Sequence, residues 1–298
     1  DLISPQSGEL TLIQTDYTLP GRNGLDLEIK RIYKSGVSNV KEMKTEYSNG
    51  AWVDTVYSDA NTTSFYEDRY DIGIGMRFSF PAIEVRKNSD NSSYLFLHTE
   101  SGDVYRLRAY LQDDKIIYLP DGQTVKDVTV EESNAYTNGQ SDGTSKYVMS
   151  GKDGKKTYFS EDGRVLSIVD RYGNTIKFEY VTQNYTIDGT ARTKKLISRI
   201  TDTAGRVITI DYNEDYSFKS GAIKNESYSG NDSYKASQNP NSSNTGDLEG
   251  KFQVVITLPD GKKIVYDKTA ALISSKNSVI RTRLQRVYDI DGKAKYHF

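Results

Sequence analysis

A chain of 298 residues is long enough for one large β domain or two smaller ones. Its formal net charge is −2, from 39 basic and 41 acidic residues, so no basic excess points to nucleic acid. The absence of cysteine excludes disulfides, Cys-ligated zinc and a cysteine nucleophile, and no apolar run approaches the roughly 20 residues of a membrane span.

Residues 8–17 read as a strand and residues 19–24, with Pro20, Gly21 and Gly24, as a turn. Residues 25–33 alternate at period two, with Leu25, Leu27 and Ile29 on one face. Residues 39–47 are expected to form a short helix, followed by the single tryptophan, Trp52. Strands then come in quick succession at residues 73–81, 82–87, 94–97, 103–107 and 116–119. Two polar stretches interrupt the pattern, at 131–146 and at 224–250. The second is too polar to offset the entropy of ordering itself and reads as a long exposed loop. No helix of four or more turns is predicted.

Three later segments share one spelling: an apolar strand, Asp-x-x-Gly, then a strand ending in aromatics. They turn at Asp170–Gly173, Asp202–Gly205 and Asp289–Gly292. Gly261, after Leu258, Pro259 and Asp260, closes a related turn. Asp at the first position accepts backbone N–H bonds inside a type I turn, and Gly takes the positive φ that closes it. Counting three, five and seven residues past the glycine gives Ile176, Phe178 and Tyr180, then Ile208, Ile210 and Tyr212. These sets share one face, and a slip of one residue would send each to the wrong side. Gly292 fits least well, its aromatics falling at four and six. The 23 tyrosines, against 9 Phe, suit half-buried strand positions where the ring packs and the hydroxyl reaches water. The expected fold is all-β: consecutive antiparallel hairpins in a curved or spiralling sheet.

These residues resemble the Rhs/YD-repeat family, whose repeats centre on Tyr-Asp-x-x-Gly. Tyr288-Asp289-Ile290-Asp291-Gly292-Lys293 is the nearest match, and Asp170-Arg171-Tyr172-Gly173-Asn174 is similar to an element common in Rhs proteins. Ser7-Gly8-Glu9-Leu10 through Gly21, and Arg31-Ile32-Tyr33, are similar to the opening of the Rhs core. Met76 stands where the family usually has tryptophan. The resemblance divides the chain into an opening region, 1–100, with an irregular segment at 36–70, and YD-like hairpin repeats at 101–298 with a polar loop near 222–250. It implies a sheet that spirals into a hollow shell, which in bacterial toxins encloses a C-terminal payload. It also implies a bacterial secreted or cell-surface location. The partners it implies are the rest of a longer Rhs chain and a toxin domain or cell-wall polysaccharide. The family's self-cleavage element uses Asp-Pro, which this sequence lacks.

Candidate chemistry is sparse. The two histidines are His98, read as a packed strand residue, and His297. Neither metal-ligand spacing nor a nucleophile elbow is present. The pairs Asp113-Asp114 and Glu131-Glu132 read as solvated turns rather than glycosidase carboxylates. The expectation is therefore a non-catalytic structural segment with no cofactor, no metal, no nucleic acid partner and no membrane span. The structural bets are Asp170, Gly173, Asp202, Gly205, Gly261, Asp289 and Gly292. The alternative is a carbohydrate-binding module with an aromatic platform of Trp52, Tyr57, Tyr66 and Tyr70.

Overall fold

The computed structural model describes residues 2–3, 8–38, 42–48, 51–57, 65–87, 93–121, 127–187, 190–214, 252–273 and 279–297. The expected polar loop near 222–250 lies outside them. The opening strands are β1 (Leu2–Ile3), β2 (Leu10–Leu19), β3 (Leu27–Lys34), β4 (Glu42–Ser48) and β5 (Ala51–Tyr57). One short helix, α1 (Phe65–Tyr70), precedes β6 (Met76–Phe78), β7 (Ala82–Lys87), β8 (Ser93–His98), β9 (Val104–Gln112), β10 (Lys115–Pro120) and β11 (Val128–Glu132). Next come β12 (Tyr147–Gly151), β13 (Lys156–Phe159), β14 (Val165–Val169), β15 (Thr175–Ile187), β16 (Thr190–Thr201) and β17 (Val207–Glu214). The last are β18 (Phe252–Thr257), β19 (Lys263–Ile273), β20 (Val279–Tyr288) and β21 (Ala294–His297).

Strands β7 to β21 form one 15-stranded antiparallel sheet in unbroken chain order. The sheet does not close into a barrel. Strands β1, β2, β3 and β6 form a second sheet, and β4 pairs with β5 alone.

Of the segment expected to be helical at 39–47, residues 42–47 are strand instead, and 39–41 lie outside the described residues. Met43 faces Val56, and Tyr47 faces Trp52, across the β4–β5 ladder. Val53, Thr55 and Val56 favour a strand over a helix, and Asn49-Gly50 is a strong two-residue hairpin signal in the sequence.

The inner stripe of the large sheet follows from alternation. Ile176 lies opposite Ile168, Phe178 opposite Ile200, Ile200 opposite Ile208, and Ile256 between Ile210 and Ile264. All of these are buried. The small sheet lies on this stripe. Phe80 meets Phe178 edge to face at 4.9 Å, and Phe78 approaches Tyr266 at 6.2 Å. A single core cluster therefore spans both sheets, from Leu19 and Ile29 to Val287. Burying such side chains contributes roughly 1.5–3 kcal/mol each before entropy is counted. A long sheet with one apolar face must cover it, and here the opening strands do so.

Strict chain order puts every second connection on the same rim. One rim carries the five-residue turns 99–103, 151–155, 170–174, 202–206, 258–262 and 289–293. In each, the fourth residue's N–H donates to the first carbonyl, and the first N–H donates to the fifth carbonyl. The polar stretch 133–146 connects β11 to β12 on the other rim. It is not a detached loop. Asn138 Nδ2 donates to Phe178 O, and Gln140 exchanges two bonds with Tyr180 N and O, at 2.9–3.0 Å. These bonds serve β15 where its register with β16 shifts, between Glu179 and Tyr180.

Candidate functional site

The place that decides the shape of the molecule is the seam where the sheet's first strand comes back against its middle. The N–H of Ile83, on the edge of β7, donates to the carbonyl of Gly163 at 2.9 Å. Gly163 ends the turn 160–164 between β13 and β14, with φ +77. A Cβ there would lie 1.8 Å from the Ile83 carbonyl oxygen, so no larger residue fits. Helix α1 closes the seam from the side. Arg69 Nη2 donates to Asp162 O at 2.5 Å, and Arg69 Nη1 stands 3.6 Å from the Asp162 carboxylate. Arg164, itself buried, grips the same carboxylate at 2.8–2.9 Å, reaches Asp142 at 2.8 Å and lies over the Tyr180 ring at 4.7 Å. Burial opposes ionisation of Asp162, but Arg69, the Ser160 hydroxyl and Arg164 outweigh it and lower its pKa.

Two ion clusters tie the opening strands to the interior. In the first, Arg31 makes a two-bond fork with Asp16 at 2.5 and 2.8 Å, both side chains being 3% exposed. The Tyr266 hydroxyl donates to Asp16 at 2.6 Å, and the Arg31 guanidinium lies over its ring. Burial, with Asp16 beside it, pushes the Tyr266 hydroxyl well above 10, so it stays a donor. In the second, Asp71 follows α1 with φ +51. Its carboxylate stands 3.0 Å from Lys194 Nζ and 3.5 Å from Lys268 Nζ, and Lys268 also donates to its carbonyl at 2.8 Å. All three are buried. Such a buried pair is weak evidence for net stability, but removing one partner leaves buried charge uncompensated at a cost of about 3–5 kcal/mol.

His98 sits where α1 meets β8. Its ring stacks on Phe65 at 4.6 Å and meets Tyr66 edge-on at 5.6 Å, and its Nε2 is 2.9 Å from Glu84. Burial lowers the His98 pKa, against the pull of Glu84; Arg77 and Arg86 add to the lowering. Arg77 is fully buried and donates to the Phe78, Phe80 and Thr99 carbonyls.

The turn residues read from the sequence lie along one rim and do not converge. Gly173, Gly205, Gly261 and Gly292 have φ of +85, +82, +84 and +70. Asp170 Oδ1 accepts from the N–H groups of Tyr172 and Asn174, Asp202 Oδ1 from Ala204 and Arg206, and Asp289 Oδ1 from Asp291. One of these turns, 202–206, also docks the connection between β2 and β3. Arg206 donates to Pro20 O, and Thr203 Oγ1 accepts from Arg22 N at 2.7 Å.

Two of the four residues expected to form a sugar platform, Tyr66 and Tyr70, are core residues. Tyr66 and Tyr70 are 3% and 2% exposed, with Tyr70 donating to Phe80 O, so neither offers a ring face to a ligand. Core packing claims them because α1 is wedged between the sheets. Trp52 and Tyr57 belong to β5, and their side chains lie outside the described residues.

Neither any protein-family model nor any curated protein matches this chain.

A cleft of about 300 Å³ opens beside the seam, lined by Phe65, Asp68, Arg69, Asp162, Thr193, Lys194 and Lys195. Each of its cations is committed: Arg69 to Asp162, Lys194 to Asp71 and Lys195 to Asp142. Among the described residues no three His, Asp or Glu stand together as metal ligands. No helix among them is long and apolar enough to cross a membrane. The arrangement as a whole holds a curved sheet shut over its own opening strands. Sequence reasoning passed over Gly163, Asp71, Lys194 and Lys268. Only Asp162-Gly163 carried a local signal, as a turn dipeptide.

Proposed function

We propose that this chain is a non-catalytic structural segment of a secreted or cell-surface Rhs/YD-repeat protein, where it builds part of a curved β-shell able to enclose a payload. The observation that carries this reading is the unbroken order of fifteen consecutive antiparallel strands with one apolar face, covered at one end by the chain's own opening strands. Such a stack is a repeat architecture, and each hairpin buries its face only with its neighbours. The YD-like turns on one rim and the similarity of residues 7–33 to an Rhs opening point to the same family. In this reading the small sheet and α1 plug one end, and the ion clusters at Asp16 and Asp71 fix the plug. Strand β21 pairs only with β20 among the described residues, and its outer edge is where further hairpins would add.

Electron cryomicroscopy of the natural gene product tests this reading. A hollow β-walled shell with this chain at one end is the expected image. A solid globular particle, or a detached sandwich domain on a stalk, would overturn it.

A further inference from the structure

The large sheet has a second face; at its His98 end α1 packs on it, and beyond that, over Tyr94, Arg106 and Tyr110, it is open to solvent and not bland. Glu84 and Arg86 of β7, Tyr94 and Phe96 of β8, and Arg106, Arg108 and Tyr110 of β9 all point to it, as the ladder registers and alternation require. Arg86 lies opposite Tyr94 but stacks on Phe96, and Arg106 lies opposite Phe96 but stacks on Tyr94. Both guanidinium carbons are 4.3 Å from the ring centroids. Two of the three arginines are spent. Arg86 forks onto Glu84 at 2.7 and 3.1 Å, and Arg108 reaches Asp121 at 2.8 Å. Arg106 is exposed and makes no carboxylate pair among the described residues. The rings beside it are open to solvent, Tyr94 at 37% and Tyr110 at 49%.

From this we infer a binding site: the outer face of β7–β9 takes an acidic polysaccharide of low charge density, with Arg106 receiving a sugar carboxylate and Tyr94 and Tyr110 packing against the sugar rings. Stacking on Tyr94 holds the Arg106 fork in place while its donor edge stays free, so little entropy is lost when a carboxylate docks two-pronged. The tyrosines supply flat apolar area with a hydroxyl at the rim. The charge count selects the ligand. Three arginines against Glu84 and Asp121 leave one surplus cation on this face. A nucleic acid presents a phosphate at every step and wants many cations, and Glu84 and Asp121 would repel it. A glycan with a carboxylate on every second sugar matches one open guanidinium flanked by rings. This site is separate from Trp52 and does not depend on the shell reading.

Titration calorimetry of the whole chain at low salt tests it, with hyaluronate oligosaccharides, neutral dextran oligosaccharides and a short DNA duplex as probes. Hyaluronate binds, dextran and DNA do not, and binding weakens as salt rises. Arg106→Ala weakens it about tenfold or more, a change of about 1.4 kcal/mol. Arg106→Lys keeps the charge, loses the fork and recovers only part. Arg199→Ala, on a different part of the sheet, leaves it unchanged. Arg106 is exposed, so its variants keep the native melting temperature and loss of binding is not loss of fold. No heat with hyaluronate, equal heat with dextran, preference for DNA, or unaltered binding by Arg106→Ala would each overturn the inference.

Discussion

The amide of Ile83 donates to the carbonyl of Gly163 at 2.9 Å, and this one bond brings the first strand of a 15-stranded sheet back to its middle. An edge strand otherwise leaves its N–H groups open to other chains. Here the bond occupies one of them, and Arg69 on Asp162 holds the turn that supplies the acceptor. The geometry leaves no space for a side chain at 163, which makes that position more demanding than the rim glycines.

Gly163→Ala is expected to cost about 2–4 kcal/mol, the sum of left-handed backbone strain and a forced displacement of β7. Gly205→Ala shares the positive φ, but its new methyl would meet nothing within 4 Å, so only the strain of about 1–2 kcal/mol remains. Urea unfolding of the two variants measures the difference. Equal costs would mean that the seam does not press on Gly163.

Acid should loosen the α1–β8 contact. The His98 pKa lies below its ordinary 6.5 in the folded chain, so the unfolded chain binds the proton more readily. Stability is therefore fullest above 6.5 and falls as the pH drops through that value towards the folded pKa. Glu84, whose pKa is also lowered against the cost of burial by His98 and Arg86, adds a further loss below about 4.5. Melting temperatures across this range should fall more steeply for the native chain than for His98→Gln. Parallel curves would rule out His98 as the titrating group.

Removing the Asp71 carboxylate should be severe. Asp71→Ala leaves the buried ammonium groups of Lys194 and Lys268 without it, and stranded buried charge costs about 3–5 kcal/mol. Adding Lys268→Met should restore part of the loss, because the two changes share one cluster. Denaturant titration of the single and double variants reads this directly. A loss below about 1 kcal/mol for Asp71→Ala, or no recovery in the double variant, would contradict the role given to the cluster.

Asp202 tests the rim turns. Its carboxylate accepts from Ala204 N, Arg206 N and the Arg206 guanidinium, and Arg206 in turn holds Pro20 of the small sheet. Asp202→Ala should cost about 1–3 kcal/mol, with Asp289→Ala costing less because the Asp289 carboxylate, among the described residues, accepts only from Asp291 N. Thermal unfolding compares them. The reverse order would disprove the docking role of the 202–206 turn.

What could be read from the sequence was local. Gly173, Gly205, Gly261 and Gly292 announce their turns within four residues, and the alternation after them places Ile176, Phe178, Ile208 and Ile210 inward, where they are buried. The turn at Gly163 opens with Ser160 rather than Asp, and what makes it special is the distant Ile83. Lys268 and Asp71 are 197 residues apart, and no pattern in the chain joins them. Tyr66 and Tyr70 look like exposed aromatics in an irregular stretch because nothing nearby tells of the sheet that covers them. The hairpin at β4 and β5 was legible, in Asn49-Gly50, but the residues before it suggested a helix.

The most direct test of the curled, self-covered sheet is hydrogen exchange at the Ile83 amide, followed residue by residue in the native chain. Protection on a par with the interior strands, lost in Gly163→Ala, is the predicted result. Exchange as fast as in a free edge strand would contradict a sheet that returns upon itself.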